Sequence, residues 1–500
     1  MPLIANNEPR DASKRRDLSA FLRSPYVLLL VIFAVSRTVY YLLGVRFDAR
    51  GLTVFFQLLD PELLRHNLLQ SLFYLHMQPP GYNLFVGVIL KLFPHTYVTA
   101  FHGIHLVFGV SIMCLMFHLM RCLGVGARFS LVATALFIVS PEVILFENYL
   151  LYEYLLVFIL MVSAALLFHF FIYRSVAGAI GFLVCQFCLV LLRNHFHLVY
   201  FIMVFALLLY FTKRNRRLVA SVGSVLLAIV VALYLKNLIL FGHFASSTWL
   251  GMCMGTIVTH QLTPQERQHL ASQGQLCPAT DMDPCSSVWT FRPYIKMPAK
   301  TSIPALDQEF KSDGYSINFN HLAFLEVQKL FMKDGLYILL HYPKAYMRSI
   351  VIAWFAYFLP ADDYPFFDLN LPRIHAIQRF FDIVFFGQFK QAPGKALRQL
   401  YAAGAKLSLI LYTGTFLLIG LPTLFVFGIW YLFKGILRRT LDAPQAFLLG
   451  FMLFNIAYCT AVANFLSSFE NNRYRFPLDC FFVVLTVFAL NRVWHRFIRK

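Results

Sequence analysis

An aspartate that follows the first long apolar stretch is the earliest residue in the chain with evident chemistry. Asp48 stands between Arg46 and Arg50, a few residues after that stretch. Neighbouring arginines keep a carboxylate ionised, and an ionised carboxylate at a membrane surface can accept a proton as a general base. An ordinary surface ion pair has the same sequence pattern, so the pattern leaves both interpretations open.

A second acidic candidate opens a later apolar stretch, in the segment ENYLLYEYLL. Glu147 and Glu153 are six residues apart there, and on one continuous helix they face different directions. Glu153 lies deeper in the apolar run. Because an ionisable residue at the edge of a membrane span usually points into a cavity, we prefer Glu153 as the functional group.

Cationic groups interrupt the apolar stretches at three further places. Arg193 and His195 break one stretch, Lys236 lies near the end of another, and Arg473 and Arg475 introduce the last one. Arginines can grip a phosphate through two parallel hydrogen bonds, so these groups are candidates for binding a lipid-linked phosphate. An arginine at a span end can also simply extend its charge to the membrane surface.

The first polar loop, residues 45–81, ends in the segment His76-Met77-Gln78-Pro79-Pro80, in which His76 and Gln78 are candidate binding residues. His66 lies ten residues before His76, a spacing that does not indicate a metal site. The chain also lacks the phosphate-binding loop, the dinucleotide-binding fingerprint and the H-E-x-x-H zinc motif. Nucleotide-driven transport and zinc proteolysis therefore have no motif support.

The amino-acid composition indicates the class of protein in which these residues are positioned. Hydrophobic residues make up 59% of the chain, charged residues only 13%, and the mean hydropathy is +0.65. Soluble domains are about 45–50% apolar and about 25% charged, so the chain is predicted to be an all-α polytopic membrane protein whose partner is the lipid bilayer. The net charge of +19 reflects the basic cytoplasmic ends of spans. No nucleic-acid partner is indicated.

Ten apolar stretches are predicted to cross the membrane, which takes about 17–25 residues. Basic clusters between them place both termini in the cytoplasm. Tyr82–Phe93 is too short to cross. The predicted spans are Pro25–Leu43, Tyr97–Met120, Phe129–Phe146, Leu150–Phe171, Val176–Leu192, Leu198–Phe211, Leu218–Phe241, Leu407–Phe433, Phe447–Leu466 and Pro477–Val493.

One more apolar stretch, Ile350–Leu359, is short. If it crossed, the basic cluster 434–439 would face outward, against the cytoplasmic bias of basic residues, so we expect an interfacial or re-entrant helix. The unusual polar loops then share the extracytoplasmic face. The predicted parts are an N-terminal transmembrane module (1–241), an extracytoplasmic loop domain (242–346), an interfacial or re-entrant segment (347–405) and C-terminal transmembrane helices (406–500).

The loop domain 242–346, called the cap below, is expected to be partly helical. Its best helix is predicted at Asn318–Lys333, where apolar residues recur with a helical period. Cys277 and Cys285 both lie in the cap. If the cap faces an oxidising compartment, they are predicted to form a disulfide.

Several of these segments together carry a resemblance to a known family. An acidic residue after the first span (Asp48), a Pro-Pro segment (His76–Pro80), a second acidic residue opening a later span (Glu153) and a large outer loop resemble the GT-C glycosyltransferases. The chain is most similar to the branch of dolichyl-phosphate-mannose-protein mannosyltransferases and of bacterial lipopolysaccharide-core and aminoarabinose transferases. The segment Asn472–Pro477 resembles a motif before the final span of some bacterial members. The family's usual Asp-Glu pair is Asp48-Ala49 here.

The resemblance implies an inverting glycosyltransferase that moves a sugar from a polyprenyl-phosphate donor to an acceptor hydroxyl on the extracytoplasmic face. The acceptor is a glycan, a glycolipid or a protein. Asp48 and Glu153 are the implied catalytic residues, and no cofactor is predicted apart from a divalent metal, which stays open. The residues expected to bind the donor phosphate or substrate are His76, Gln78, Arg193, His195, Lys236, Arg473 and Arg475.

Two alternatives remain open at this stage. A lipid or polysaccharide transporter also presents cations to a cavity, although transporters place polar residues at mid-membrane and often show internal repeats. An O-antigen-ligase-type enzyme also has a large outer loop and arginines, but does not need Asp48. The chain contains no Asn-x-Ser/Thr sequon, which favours a bacterial inner membrane with a periplasmic active site over an endoplasmic reticulum membrane.

Overall fold

The computed structural model describes residues 24–212, 215–390, 412–467 and 470–498, and within these ranges the protein is helical, with two isolated bridges and no strand. The predicted all-α class is therefore confirmed. Long runs of Leu, Phe and Val without charged residues favour helices in a membrane. No water is available there, and a helix satisfies its backbone N–H and C=O groups internally.

The N-terminal half consists mainly of long apolar helices. Three short helices lie in the first loop, and another short one follows a bend. The helices are α1 (Pro25–Leu42), α2 (Gly51–Val54), α3 (Pro61–His66), α4 (Leu68–Phe73), α5 (Gly81–Leu92), α6 (Tyr97–Cys122), α7 (Ala127–Ile138), α8 (Pro141–Glu147), α9 (Tyr152–Tyr173), α10 (Val176–Leu192), α11 (Leu198–Phe211) and α12 (Arg216–Phe241).

The cap and the C-terminal part follow. The cap holds α13 (Leu250–Ile257), α14 (Pro264–Ser272), α15 (Val288–Phe291), α16 (Pro304–Asp307) and α17 (Phe324–His341), with 3₁₀ turns at Thr259–Gln261, Pro278–Asp281 and Arg292–Tyr294. Then come α18 (Pro343–Tyr357), a 3₁₀ turn (Pro365–Phe367), α19 (Leu371–Phe381), a π-helix (Asp382–Phe386), α20 (Thr415–Leu437), α21 (Ala443–Leu466) and α22 (Asn471–Ile498).

Seven of the described helices are long and apolar enough to cross a membrane, or eight if the bent pair α7–α8 is one span. Helices α5, α10 and α11 are apolar but shorter. The multi-pass architecture agrees with the sequence, and the number ten stays a prediction. Residues 1–23, 213–214, 391–411, 468–469 and 499–500 lie outside the described residues, and with them the basic tail, the end of segment 347–405 and the start of Leu407–Phe433.

The predicted span Phe129–Phe146 is not one straight helix, because the chain bends by 56° between α7 and α8. That this bent pair crosses the membrane stays a prediction. Pro141 lacks the backbone N–H that would continue the ladder of hydrogen bonds. The carbonyl groups released at the break find partners on α1: Arg37 Nη1 donates to Ile138 O over 2.8 Å, and Tyr40 Oη donates to Val139 O over 2.9 Å. The bend buries Glu142 and Glu147 inside the bundle.

Helices α9 and α22 form the centre of the bundle. Helix α9 packs against α6, α10, α21 and α22, and it is apolar on all sides, as expected of a helix surrounded by others. The acidic residue at its first turn, Glu153, is therefore carried into the interior.

The cap differs from its prediction in two respects. Its longest helix begins at Phe324, six residues later than expected, because Asn318 and Asn320 bind loop carbonyl groups with their side chains. Such local hydrogen bonds compete with helix formation. The predicted disulfide is also wrong, since Cys277 and Cys285 are both free. Cys277 packs against an apolar cluster of the cap, whereas Cys285 is exposed.

Candidate functional site

One buried carboxylate and two buried arginines meet where three helix ends converge. Glu153 lies in the first turn of α9, Arg193 follows α10, and Arg473 lies in the first turn of α22. Glu153 Oε1 is 3.3 Å from Arg193 Nη1 and 3.3 Å from Arg473 Nε. All three side chains are at most 4% exposed. The sequence predicted each of these residues separately, and the structure brings them together.

These ion pairs leave hydrogen-bonding capacity unused. Within the described part of the chain, both oxygens of Glu153 and the Nε and Nη2 atoms of Arg193 have no partner in hydrogen-bonding geometry. The same holds for Nε and Nη2 of Arg473, although its Nη2 lies 3.0 Å from Glu470 Oε2. Buried charged groups are normally fully hydrogen-bonded, so the arrangement has donors to offer to a further anion.

Aromatic rings hold the two arginines in place. The Arg193 guanidinium lies 4.8 Å from the ring centre of Tyr152 and 4.2 Å from that of Tyr474. Arg473 Nη1 donates to Tyr364 Oη over 2.8 Å. The rings fix the direction of the guanidinium groups through cation–π contacts, so the unused N–H donors have a set position before any ligand arrives.

A cavity of about 450 Å³ opens beside Arg193, within the usual size range of ligand pockets. One part of the lining is polar or aromatic and comes from the first loop, the start of α9, the α10–α11 connection, the cap and the start of α22. The other side is apolar and belongs to α11 and α21. The polar and aromatic side includes Gln78, Tyr152, Arg193, His195, Trp249 and Tyr474, and the apolar side includes Leu198, Val199, Val462 and Leu466.

His195 lines the same cavity as a neutral ring. Burial, reinforced by Arg193 and Arg473, lowers the pKa of His195 well below its ordinary value. Its Nδ1 lies 3.3 Å from Asn194 Oδ1, while Nε2 has no partner among the described residues. Because an amide oxygen only accepts, Nδ1 carries the proton of the neutral ring, and Nε2 can accept one hydrogen bond.

Asp48 is not part of the cavity lining and is held by other groups. A parallel bridge joins Asp48 to Tyr149, with Asp48 N donating to Asn148 O over 2.8 Å. Both of its carboxylate oxygens accept hydrogen bonds from Arg50, and Arg50 also pairs with the exposed Asp368. The bridge ties the first loop to the segment that leads into Glu153.

Two predicted binding residues hold the fold together in this structure. His76 is fully buried, its Nδ1 lies 2.9 Å from Thr248 Oγ1 and its Nε2 lies 3.0 Å from Asn320 O. Because a carbonyl only accepts, Nε2 carries the proton. Lys236 Nζ donates to Phe73 O and Leu75 O, over 2.9 and 2.8 Å. Neither side chain lines the cavity.

Arg475 belongs to a second buried cluster rather than to the cavity. Its Nε lies 3.0 Å from Asp479 Oδ1, its Nη2 lies 3.7 Å from Glu142 Oε1, and its Nη1 donates to Tyr357 O and Leu359 O. These contacts join α22 to α8 and to the end of α18.

Sequence reasoning missed several partners in both clusters. Glu142 follows Pro141 within an apolar run, a signal that was available, and Asp479 lies four residues after Arg475 on one helix face. Tyr364 and Trp249 carry no local pattern that marks them. Among the described residues, no group of three or more His, Cys, Asp or Glu side chains is arranged to hold a metal ion.

Comparisons with protein-family models, with curated proteins and with solved structures gave no match to this chain.

Proposed function

We propose that this protein is a membrane glycosyltransferase that takes a sugar from a polyprenyl-phosphate donor and transfers it, with inversion, to an acceptor hydroxyl. The observation that carries the proposal is the pair of buried arginines, Arg193 and Arg473, which keep N–H groups without a hydrogen-bond partner beside Glu153 among the described residues. A phosphate accepts hydrogen bonds in the geometry that arginine offers.

The shape of the cavity supports a lipid-linked donor over a soluble one. Its apolar side, formed by α11 and α21, suits a prenyl chain, and its polar side begins at Arg193. Trp249, which stacks on Phe56 with ring centres 4.8 Å apart, reaches the cavity from the cap. Flat aromatic faces together with a few polar groups are typical of a pocket that orients a small polar ligand.

Asp48 serves as the base in this proposal. Its carboxylate would take the proton of the acceptor hydroxyl once Arg50 moves toward its second partner, the exposed Asp368. The bond from the sugar to the phosphate breaks as the acceptor oxygen attacks, and the charge that develops on the leaving phosphate is stabilised by Arg193 and Arg473. The proposed location is a bacterial inner membrane, with this site on the periplasmic side.

The experiment measures the binding of polyprenyl phosphate, without a sugar, to the purified protein in detergent. Arg193→Gln and Arg473→Gln each remove charge-assisted hydrogen bonds to the phosphate, so affinity is expected to fall roughly tenfold to a hundredfold. Arg492→Gln is the matched control, because Arg492 lies on α22 near its other end and also has an unpaired Nε.

Equal affinities for the wild type, Arg193→Gln and Arg473→Gln would contradict the proposal. A loss that Arg492→Gln shares equally would also contradict it, since the effect would then reflect a general change in α22. Thermal unfolding of each variant in the absence of ligand separates lost binding from lost folding.

A further inference from the structure

A second cavity, of about 530 Å³, lies at the other end of the helix bundle. Along α9 the lining residue Phe171 is eighteen positions after Glu153, which at 1.5 Å per residue is about 27 Å. This distance is close to the thickness of the hydrocarbon core of a bilayer. The cavity is distinct from the arginine site, because the two cavities share no lining residue.

The cavity exists because two helices touch at both ends and separate in between. Helices α11 and α21 meet where Tyr200 Oη lies 2.9 Å from Asn455 Oδ1, and again where the rings of Phe211 and Phe447 have centres 4.8 Å apart. Between these contacts both helices present apolar residues at helical spacing. The lining residues on these two helices are Val204, Leu207, Leu208 and Phe211 on α11, and Ala443, Ala446, Phe447, Gly450, Phe451 and Phe454 on α21; Ala443 and Ala446 lie beyond the Phe447 contact.

The walls are apolar apart from one charge. Arg439, two residues after the end of α20, is the single charged residue of the lining, is exposed and makes no ion pair among the described residues. Its backbone is left-handed, with a φ of 52°, at a position after a helix where glycine is the usual residue. An unpaired cation at the mouth of an apolar slot matches a lipid with an anionic headgroup.

We propose that this slot binds one anionic phospholipid, with an acyl chain between α11 and α21 and its phosphate on Arg439. Leu207 and Phe211 are both partly exposed at the rim, so a chain can enter sideways from the bilayer. The acyl chain fills the gap between the two helices, and the bound lipid thereby stabilises the packing of α11 against α21. This proposal does not depend on the proposed glycosyltransferase activity.

The test uses the full chain in nanodiscs of phosphatidylcholine containing phosphatidylglycerol, followed by native mass spectrometry to identify retained lipid. The wild type is expected to retain one phosphatidylglycerol. Arg439→Gln should lower that retention about tenfold, since a charge-assisted hydrogen bond is lost. Arg438→Gln is the matched control, because Arg438 is exposed and adjacent to Arg439 but does not line the slot.

A second pair of variants fills the slot itself. A Cβ on Gly450 would meet only Leu432 Cδ2, at 3.8 Å, so Gly450→Leu is tolerated by the backbone and occupies the space of the acyl chain. Retention should then be lost, whereas Gly420→Leu, where a Cβ meets nothing within 4 Å, should keep it. Equal retention in Arg439→Gln and Arg438→Gln would overturn the proposal. Retention of phosphatidylcholine or of polyprenyl phosphate instead, or of no lipid, would overturn it too.

Discussion

Glu153 stands out among the buried acids because its ion pairs are incomplete. Glu147, in the same segment, shows the ordinary pattern: its oxygens accept from Arg37 over 2.8 and 2.6 Å and from Tyr154 over 2.8 Å. Glu153 instead lies between two arginines at 3.3 Å without a hydrogen bond to either oxygen. We infer that Glu153 neutralises the arginines while the site is empty and that a phosphate competes with it for them.

Glu153→Gln is expected to lower the folding stability of the ligand-free protein and to raise its affinity for phosphate. Removing one member of a buried ion pair typically costs about 3–5 kcal/mol of folding stability, and the phosphate no longer meets a neighbouring negative charge. The rise in melting temperature caused by polyprenyl phosphate should therefore be larger than in the wild type. Glu147→Gln should lower stability without enlarging that rise. A smaller rise in Glu153→Gln than in the wild type would contradict this role.

Asp48→Asn is expected to lower turnover by roughly 10²–10⁴, the scale of general-base catalysis. The amide keeps the shape of the carboxylate but cannot take the proton, while the arginines proposed to hold the phosphate are unchanged. The loss should therefore appear in kcat with nearly normal affinity for the lipid-linked donor. Asp368→Asn, which removes the other partner of Arg50, should retain most of the turnover. An Asp48→Asn protein that is folded and fully active would move the base elsewhere.

At the level of elements, the cap is fastened to the first polar loop by buried polar contacts. Lys311 Nζ donates to Thr53 O and Phe55 O, over 2.6 and 2.7 Å. Asp60 accepts from Ser312 and also caps α3, because its Oδ1 accepts a hydrogen bond from Glu62 N. These contacts place the cap residues Trp249 and Ser247 at the cavity.

The His76 contact makes the attachment of the cap sensitive to acid. Burial lowers the pKa of His76 to about 3, whereas in the unfolded chain it is about 6.5. Between these values the unfolded chain binds more protons, so stability falls as pH decreases. From pH 7 to pH 5 the expected loss is about 2 kcal/mol. Limited proteolysis of the cap should speed up over this range in the wild type.

His76→Asn is the variant that tests this assignment. Its amide can still donate and accept one hydrogen bond each but does not titrate in this range. The variant should be less stable at pH 7, and its cap should lose little further protection at pH 5. If the acid response of His76→Asn equals that of the wild type, His76 does not cause it.

Helices were predictable where the length of the apolar stretch determines where they begin and end. They were less predictable where a contact with another part of the chain determines their shape. Helices α6, α9, α10 and α11 begin and end within about two residues of the predicted stretches. The bend at Pro141 depends on Arg37 and Tyr40, which come from a distant helix and relieve the broken ladder. The convergence of Glu153, Arg193 and Arg473 depends on how three helix ends pack, which no single segment encodes.

On the scale of the whole molecule, carboxyl groups outnumber arginines where α8, α18, α19 and α22 meet. Glu142, Asp362, Asp382 and Asp479 are buried there, with Arg475 and Arg379 as the cations that pair with them. Burial raises the pKa of Asp382 to about 8 and the pKa of the neighbouring Asp363 to about 7. The folded protein therefore retains protons at this joint that the unfolded chain releases.

Because carboxyl groups outnumber arginines in this cluster, the folding stability of the protein is expected to fall as pH rises. The pKa of Asp382 in the folded protein is above its value of about 3.9 in the unfolded chain. The stability that protonated Asp382 contributes is therefore complete below a pH of about 3.9 and is lost as pH rises toward 8. Asp382→Asn should raise the melting temperature more at pH 8 than at pH 5. Asp368→Asn should not, because Arg50 lowers the pKa of the exposed Asp368. An equal gain for Asp382→Asn at both pH values would contradict the assignment.

The buried charges of α22 also bear on how the chain enters a membrane. A charged side chain is costly to insert into a membrane, and α22 carries Arg473 and Arg475 in its first turns. Their partners, Glu153 and Glu142, lie on helices that are synthesised much earlier. Glu153 can pair with Arg193 before α22 is made, whereas Glu142 meets its arginine partner, Arg475, only when α22 arrives. Insertion of α22 is therefore the step that gives Glu142 its counter-charge among the described residues.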